Sequence, residues 1–225
     1  MIRNINRRNN NILKSLKEGA KELGIVLNNE AIGLFSLYLE ELRAWNNKIN
    51  LFSRKDDFEI IAKDFLDSLT LCKYLPSEAS FLDLGSGGGF PGIPIKISRQ
   101  DLRVVLLEIR IKKVYFLKNM IRVLGVKNLE VMGPGNENSE KFDYIASRAF
   151  GSIVKLVKTA DPYLKENGVV ISMKGRKGED ELENEISNLK KKGWNTYFVE
   201  HFTLPVLAHK RVLIGLRKDV SRETI

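Results

Sequence analysis

The residues with the clearest chemical potential lie in the run Phe81-Leu82-Asp83-Leu84-Gly85-Ser86-Gly87-Gly88-Gly89-Phe90-Pro91-Gly92, where an apolar strand meets four glycines within five residues and a helical pattern follows. Glycine tolerates positive φ and lets a ligand approach the backbone, and open α/β sheets take nucleotide-like ligands at the carboxyl ends of their strands. A tight turn by itself needs one or two glycines, whereas this cluster also exposes backbone N–H groups. Gly87-x-Gly89-x-x-Gly92 satisfies the dinucleotide fingerprint, and Glu108, ending the next strand about 20 residues on, suits a ribose hydroxyl. An NAD-dependent oxidoreductase is therefore one reading. No Gly-Lys-Ser/Thr follows the glycines, so a Walker A loop is absent. Cys72 is the only cysteine, which excludes an internal disulfide, a Cys-based zinc cage and an iron–sulfur cluster and fits a reducing cytosol. No metal site is expected.

Asp83, inside the strand just before the glycines, favours a different ligand. An Asp-x-Gly-x-Gly start resembles the S-adenosylmethionine loop of class I methyltransferases. That cofactor carries a sulfonium and an ammonium, whereas NAD carries a pyrophosphate, so Asp83 would attract the first and repel the second. In such a sheet the end of the fourth strand faces the methyl acceptor, and here it reads Ala146-Ser147-Arg148-Ala149. The Asn/Asp-Pro-Pro-aromatic turn used on exocyclic base amines is missing. Cys72 lies in a helical region and on its apolar side, which suits a small buried thiol better than a cytosine C5 nucleophile. A Lys-Asp-Lys-Glu set for ribose 2′-O transfer would need an Asp where Ser147-Arg148 stands. An acceptor that already owns a free lone pair remains, such as guanine N7, for which no general base is required. His201 and His209, in or near the last hairpin, then read as structural.

The elements that must hold these residues follow from hydrophobic period. Ile32, Phe35, Leu39, Leu42, Trp45 and Ile49 recur at helical spacing. A second helix starts at Asp56-Asp57, acids that suit a helix N-terminus, and runs toward Pro76. Residues 1–76 thus form a helical section ahead of residues 77–225. In the latter, strands are predicted at Phe81 to Leu84, Val104 to Leu107, Leu129 to Met132, Phe142 to Ser147, Val169 to Met173, Thr196 to Phe202 and Val212 to Leu216. Helices are predicted at Ile93 to Ser98, Lys112 to Leu124, Ile153 to Leu164 and Glu179 to Lys192. This alternation predicts an α/β fold with a mainly parallel sheet, helices on both faces and an antiparallel terminal hairpin.

The 225 residues are 43% hydrophobic and 29% charged, enough for one sizeable core, and the net charge of +9 favours polyanionic partners. No apolar run approaches the length of a membrane span, and the basic, Asn-rich start lacks a signal-peptide core. A soluble, cytoplasmic monomer is expected. Arg3, Arg7, Arg8, Lys14 and Lys17 either touch phosphates or belong to a frayed terminus. RNA contact has candidates in Arg110, Lys112, Lys113, Lys118 and Arg122, in Lys174, Arg176 and Lys177, and in Lys190 to Lys192. A non-catalytic RNA-binding module is the remaining alternative.

The motifs in combination resemble the glucose-inhibited division protein B family, the RsmG-type 16S rRNA guanine-N7 methyltransferases, from about Trp45 to Lys218. They are Asn47-Lys48-Ile49-Asn50-Leu51, Phe65-Leu66-Asp67-Ser68-Leu69, the Asp83 to Pro94 segment with its Gly-Phe-Pro-Gly, Ser147-Arg148-Ala149, Lys174-Gly175, His209-Lys210-Arg211 and Arg217-Lys218. The resemblance implies a helical cap on a class I methyltransferase sheet, S-adenosylmethionine as cofactor, and 16S rRNA or the small ribosomal subunit as partner. It implies that Gly85, Gly87, Gly89 and Phe90 line the cofactor, with Glu108 on its ribose. Arg148, the expected catalytic residue, reaches the cofactor or the guanine. Asn50, Asp67, Ser68 and Lys174 sit around the same pocket, and Arg176 and Lys177 rank first for RNA. The chain departs from the family at Lys63-Asp64, where a basic-His pair is usual, and at Pro134-Gly135-Asn136-Glu137-Asn138, where Asn136 and Glu137 are the adenine candidates.

Overall fold

The structure, a computed structural model, describes residues 2–51, 56–135, 140–148 and 150–219, with side chains from residue 11 onward. Helices α1 (Ile2–Glu22) and α2 (Asn29–Ile49) come first. Asn28 caps α2 by accepting the Ala31 N–H, and Asn50 ends it in the left-handed region at φ 50°. In α1, Ile12, Leu16 and Ala20 are buried at a spacing of four, so the chain from Ile12 on is packed rather than frayed, while Lys14 and Lys17 stay exposed. The second predicted helix exists but is irregular. Asp56 caps α3 (Asp57–Ile60), a π-helical stretch follows over Ile61–Leu66, then α4 (Asp67–Leu69) and a 3-10 turn over Thr70–Tyr74.

The rest alternates. Strand β1 (Ser80–Leu84) leads to α5 (Gly92–Ser98), β2 (Arg103–Leu107) to α6 (Ile111–Leu124), and β3 (Leu129–Met132) to β4 (Phe142–Arg148). Then come α7 (Ile153–Ala160), β5 (Leu164–Gly175), α8 (Gly178–Lys191), β6 (Trp194–Thr203) and β7 (Lys210–Lys218). The sheet order is β3-β2-β1-β4-β5-β7-β6. Strands β1 to β5 pair in parallel, and β7 runs antiparallel between β5 and β6. The predicted strands are all present, and the antiparallel pair lies at one edge. One boundary needs correction: Leu164, predicted to end a helix, opens β5. Pro162 has no N–H to continue α7, so the helix gives way to a 3-10 turn over Asp161–Tyr163.

Alternation along β1 sends Phe81 to one face and Leu82 and Leu84 to the other. On the Phe81 face, α1, α2, the irregular helical run, α5 and α6 share one core with the sheet. Helices α7 and α8 pack the opposite face. The helical section is thus joined to the sheet by continuous hydrophobic packing. Its hub is Phe65, whose ring lies 5.1 Å from Phe35, 5.2 Å from Tyr38 in a stacked pair and 6.0 Å from Phe90 of the glycine loop. Truncation of a buried aromatic costs about 3–5 kcal/mol, so Phe65→Ala is expected to lower the urea-unfolding free energy by that amount; a loss under about 1 kcal/mol would mean that this hub does not join the two parts.

Candidate functional site

Strand order reverses between β1 and β4, and at that switch point the crevice beyond the strand ends is open to a ligand. The glycine loop follows β1 directly. Its amides, however, are engaged from inside the protein. Gly85 and Ser86 donate to the Leu107 carbonyl at 2.9 and 3.0 Å, and Gly89 and Phe90 to that of Ser86 at 2.7 and 2.9 Å. The Gly87 N–H donates to Glu108 Oε2 at 2.9 Å, and the Gly92 N–H to Asp83 Oδ2 at 2.8 Å. The sequence reading of a loop that exposes its N–H groups is therefore corrected. Two carboxylates take donors that a pyrophosphate would need, so the dinucleotide fingerprint is matched in spacing and not in function.

Close packing explains the glycines. A Cβ at Gly92 would lie 2.3 Å from Leu106 Cδ2 and 3.0 Å from Asp83 Oδ2. At Gly89, with φ +95°, it would lie 2.4 Å from Ile93 Cδ1 and 2.8 Å from the Tyr38 hydroxyl. That hydroxyl donates to the Gly88 carbonyl at 2.5 Å, so α2 holds the loop from above. Tyr38 carried no chemical signal in the sequence; only its place on the buried face of α2, beside Phe35, Leu39 and Leu42, marked it.

Asp83 is fully buried and its Oδ1 has no hydrogen-bond partner. Burial pushes its carboxyl up to about 7, and the Gly92 and Ser86 hydrogen bonds and the Arg148 charge only partly oppose this. Glu108, 5% exposed, also accepts the Arg110 N–H at 2.9 Å. Arg148, at the end of β4, places Nη1 2.5 Å from Asp64 Oδ1 and 2.8 Å from the Lys63 carbonyl, with its guanidinium 4.9 Å from the centre of the Phe90 ring. Asp67 is clamped by Arg211 through Nε at 2.9 Å and Nη2 at 2.7 Å. Burial raises the Asp67 carboxyl even so, against the pull of Arg211.

A cavity of about 320 Å³ opens at the ends of β4 and β5, bounded by Lys63, Asp67, Arg148, Lys174, His209 and Arg211 among others. Among the expected residues, Asp83, Gly85, Gly87, Gly89 and Glu108 form the loop region, and Arg148, Asp67 and Lys174 meet at this cavity. Phe90 needs correction as a lining side chain, because its ring is 4% exposed and packs on Tyr38 and Phe65. Ser68 is fully buried with its hydroxyl on the Asp64 carbonyl, which removes it from RNA contact in this conformation. Asp67 is 1% exposed and lines the cavity with its carboxylate paired to Arg211.

Lys174 pairs with Glu181 at 2.9 Å and donates to the Gly151 carbonyl. Arg176 and Lys177 are exposed just beyond β5, and Asn50 is exposed at the end of α2. Asn136 and Glu137 lie outside the described residues, as does Ala149. Cys72 is buried, and burial pushes its thiol up to about 11, which fits an inert core cysteine. Of the α6 cations, Lys113 turns to the Leu51 carbonyl near Gly87. Lys112, Lys118 and Arg122 instead rim a groove of about 640 Å³ floored by Trp45, Ile49 and Tyr115. No helix among the described residues is long and apolar enough to cross a membrane.

Comparison with known proteins follows this geometry. The family described as rRNA small subunit methyltransferase G matches residues 31–212. The ribosomal RNA small subunit methyltransferase G of Geotalea uraniireducens is 40% identical over 210 residues, covering 91% of this chain and 96% of its own. That of Acetivibrio thermocellus is 36% identical over 213 residues, covering 91% and 88%. Among solved structures, the glycopeptide N-methyltransferase MtfA complexed with sinefungin matches with a TM-score of 0.56 at 10% identity, over 69% of this chain and 94% of its own. A precorrin-6y C5,15-methyltransferase from Geobacter metallireducens matches at 0.50 and 17%, over 68% and 87%. These likenesses establish the class I methyltransferase fold.

The raised Asp83 carboxyl has a thermodynamic consequence. Between the ordinary carboxylate value of 3.8 and about 7 the folded state holds a proton there that the unfolded state has lost. Stability from this group is complete below 3.8 and falls as pH rises through 7, by about 4 kcal/mol in all. Urea melts from pH 4 to 8 are expected to show a steeper decline for the native protein than for Asp83→Asn, and parallel curves would contradict the assignment.

Proposed function

The chain belongs to the small-subunit rRNA methyltransferase G family, and from that membership and its site we propose that it is an S-adenosylmethionine-dependent methyltransferase acting on N7 of a guanosine in small-subunit rRNA. The observation that carries the reading is that the glycine loop is backed by carboxylates. Asp83, with its free buried Oδ1, and Glu108 make the crevice attractive to a cation and poor for a pyrophosphate. The residues present therefore fit S-adenosylmethionine. Gly85 and Gly87, the loop glycines not fully buried, would hold it by close backbone approach, Glu108 would accept from its ribose, and the buried Asp83 would act on its positive end through the loop. When bound, that cofactor supplies a methyl group on a sulfonium.

The protein's own contribution is then positional. Guanine N7 carries a lone pair at neutral pH, so no side chain has to remove a proton. Of the side chains that line the cavity, the acid, Asp67, is locked to Arg211, and His209, read from the sequence as structural, stands exposed at its edge. Arg148 stands at the strand end that bounds the cavity, where its planar donors suit the guanine O6 beside N7. Orientation of two reactants can supply roughly 7–11 kcal/mol of barrier lowering. Tyr38 and the Phe65 cluster back the loop with a hydrogen bond and buried aromatic packing. Support for RNA comes from the net charge of +9, the exposed Arg176 and Lys177, and the α6 groove, where aromatic floor and cationic rim are the combination that takes stacked bases and phosphates. The target base must be unpaired or extruded, because a folded RNA helix hides N7 in its deep groove.

The test is transfer from radiolabelled S-adenosylmethionine to undermethylated small subunits, followed by digestion and identification of the nucleoside. The label is expected in 7-methylguanosine. Arg148→Lys, which keeps a cation beside Asp64 but loses the planar fork, is expected to cut transfer by at least about tenfold. Label in another nucleoside would overturn the acceptor, and binding of RNA without any label would favour a non-catalytic RNA-binding module.

A further inference from the structure

The π-helical stretch Ile61–Leu66 carries two residues that meet the active-site arginine. It brings two consecutive residues, through the Lys63 carbonyl and the Asp64 carboxylate, to one guanidinium across the crevice. Single π turns inside helices recur at functional sites because they re-aim side chains. Asp64 is fully buried, and Arg148 has only 18% of its side chain exposed. The third wall around that guanidinium is the face of Phe90. Three further features make the arrangement more than a generic ion pair.

Arg148 also lies within the field of Asp67 and Asp83, both buried, but those carboxylates are taken by Arg211 and by the Gly92 N–H, and the carboxylate it touches is Asp64. The Ser68 hydroxyl holds the Asp64 carbonyl at 2.5 Å, fixing the turn from behind. Lys63 directs its own ammonium away, to Glu59 at 2.5 Å, which leaves its carbonyl side to Arg148. A guanidinium held from three directions keeps its remaining edge toward the cavity that it lines.

We propose that Asp64 is a positioning residue for methyl transfer: its buried carboxylate, set by the π turn, holds the Arg148 guanidinium over Phe90 in the orientation that the reaction uses. This rests on the role given to Arg148 under the proposed function. Asp64 itself bounds no part of the cavity and touches neither reactant.

The isosteric Asp64→Asn variant, checked for folding by near-ultraviolet circular dichroism, tests this in two ways. Without any ligand, nitrogen-15 NMR of the Arg148 side chain is expected to show separate, slowly exchanging guanidinium N–H signals in the native protein and averaged signals in the variant. With substrates, kcat is expected to fall roughly 10- to 100-fold while KM for RNA and for the cofactor changes less than about threefold. In an Arg148→Lys background the same change is expected to add nothing further. Unchanged Arg148 signals, or a loss that multiplies with that of Arg148→Lys, would overturn the proposal. Averaged signals together with full turnover by Arg148→Lys would also overturn it, and would locate the failure in the role of Arg148 rather than in the anchoring. Should Asp64→Asn not fold, Asp64→Glu keeps the charge; it is expected to retain separate signals, and averaged ones would contradict the proposal.

Discussion

A carboxylate that cannot reach water governs this molecule. Asp83 sits inside β1 beneath its own glycine loop, accepts the Gly92 N–H and leaves its second oxygen without a partner. The contact ties the end of the first strand to the start of α5, so the loop between them is closed on itself and its amides turn inward. Burying a charge without compensation is expensive, and the site answers in two ways. The carboxyl is raised to about 7, and the Arg148 charge acts on it without touching it. Asp64, Asp67 and Asp83 stand against Arg148 and Arg211, three potential negative charges to two positive ones. A cationic ligand completes that balance and an anionic one worsens it.

The helical section takes part in the same arrangement. Tyr38 bonds the Gly88 carbonyl, Phe65 packs on Phe90, and Asp64 and Asp67 reach across to Arg148 and Arg211. Helices that only covered a sheet would be joined to it by apolar contacts. Here they supply two of the buried charges, so losing their packing would also release the residues that organise the crevice. The aromatic hub and the ion pairs act on neighbouring residues of one irregular helix, which couples stability of the section to geometry at the strand ends.

Much of this was legible in the sequence, for reasons that can be stated. The strands were found because each is a short apolar run closed by turn residues, and the glycine loop because close backbone approach leaves few alternatives. Apolar period marks Cys72 as buried, although it lies in a 3-10 turn rather than a regular helix. The direction of the loop amides was not legible, because it depends on where the Asp83 and Glu108 side chains fold back, a tertiary matter. Phe90 and Ser68 belong to recognisable motifs, yet one packs its ring in the core and the other its hydroxyl on its own helix. The π turn at Ile61–Leu66 has no sequence signature, and the contact of its Asp64 with Arg148 is a tertiary one that spacing does not reveal. Leu164 reads as helical because apolar period runs across Pro162, where the chain in fact leaves the helix and enters β5.

If the buried Asp83 is the counter-charge for the cofactor, binding must expel its proton. Calorimetric titration of the ligand-free protein with S-adenosylmethionine at pH 6.5, in two buffers of different ionisation enthalpy, measures that proton directly. The account predicts net proton release by the native protein and none by Asp83→Asn. Binding with no proton exchanged, or with equal release by both proteins, would contradict it.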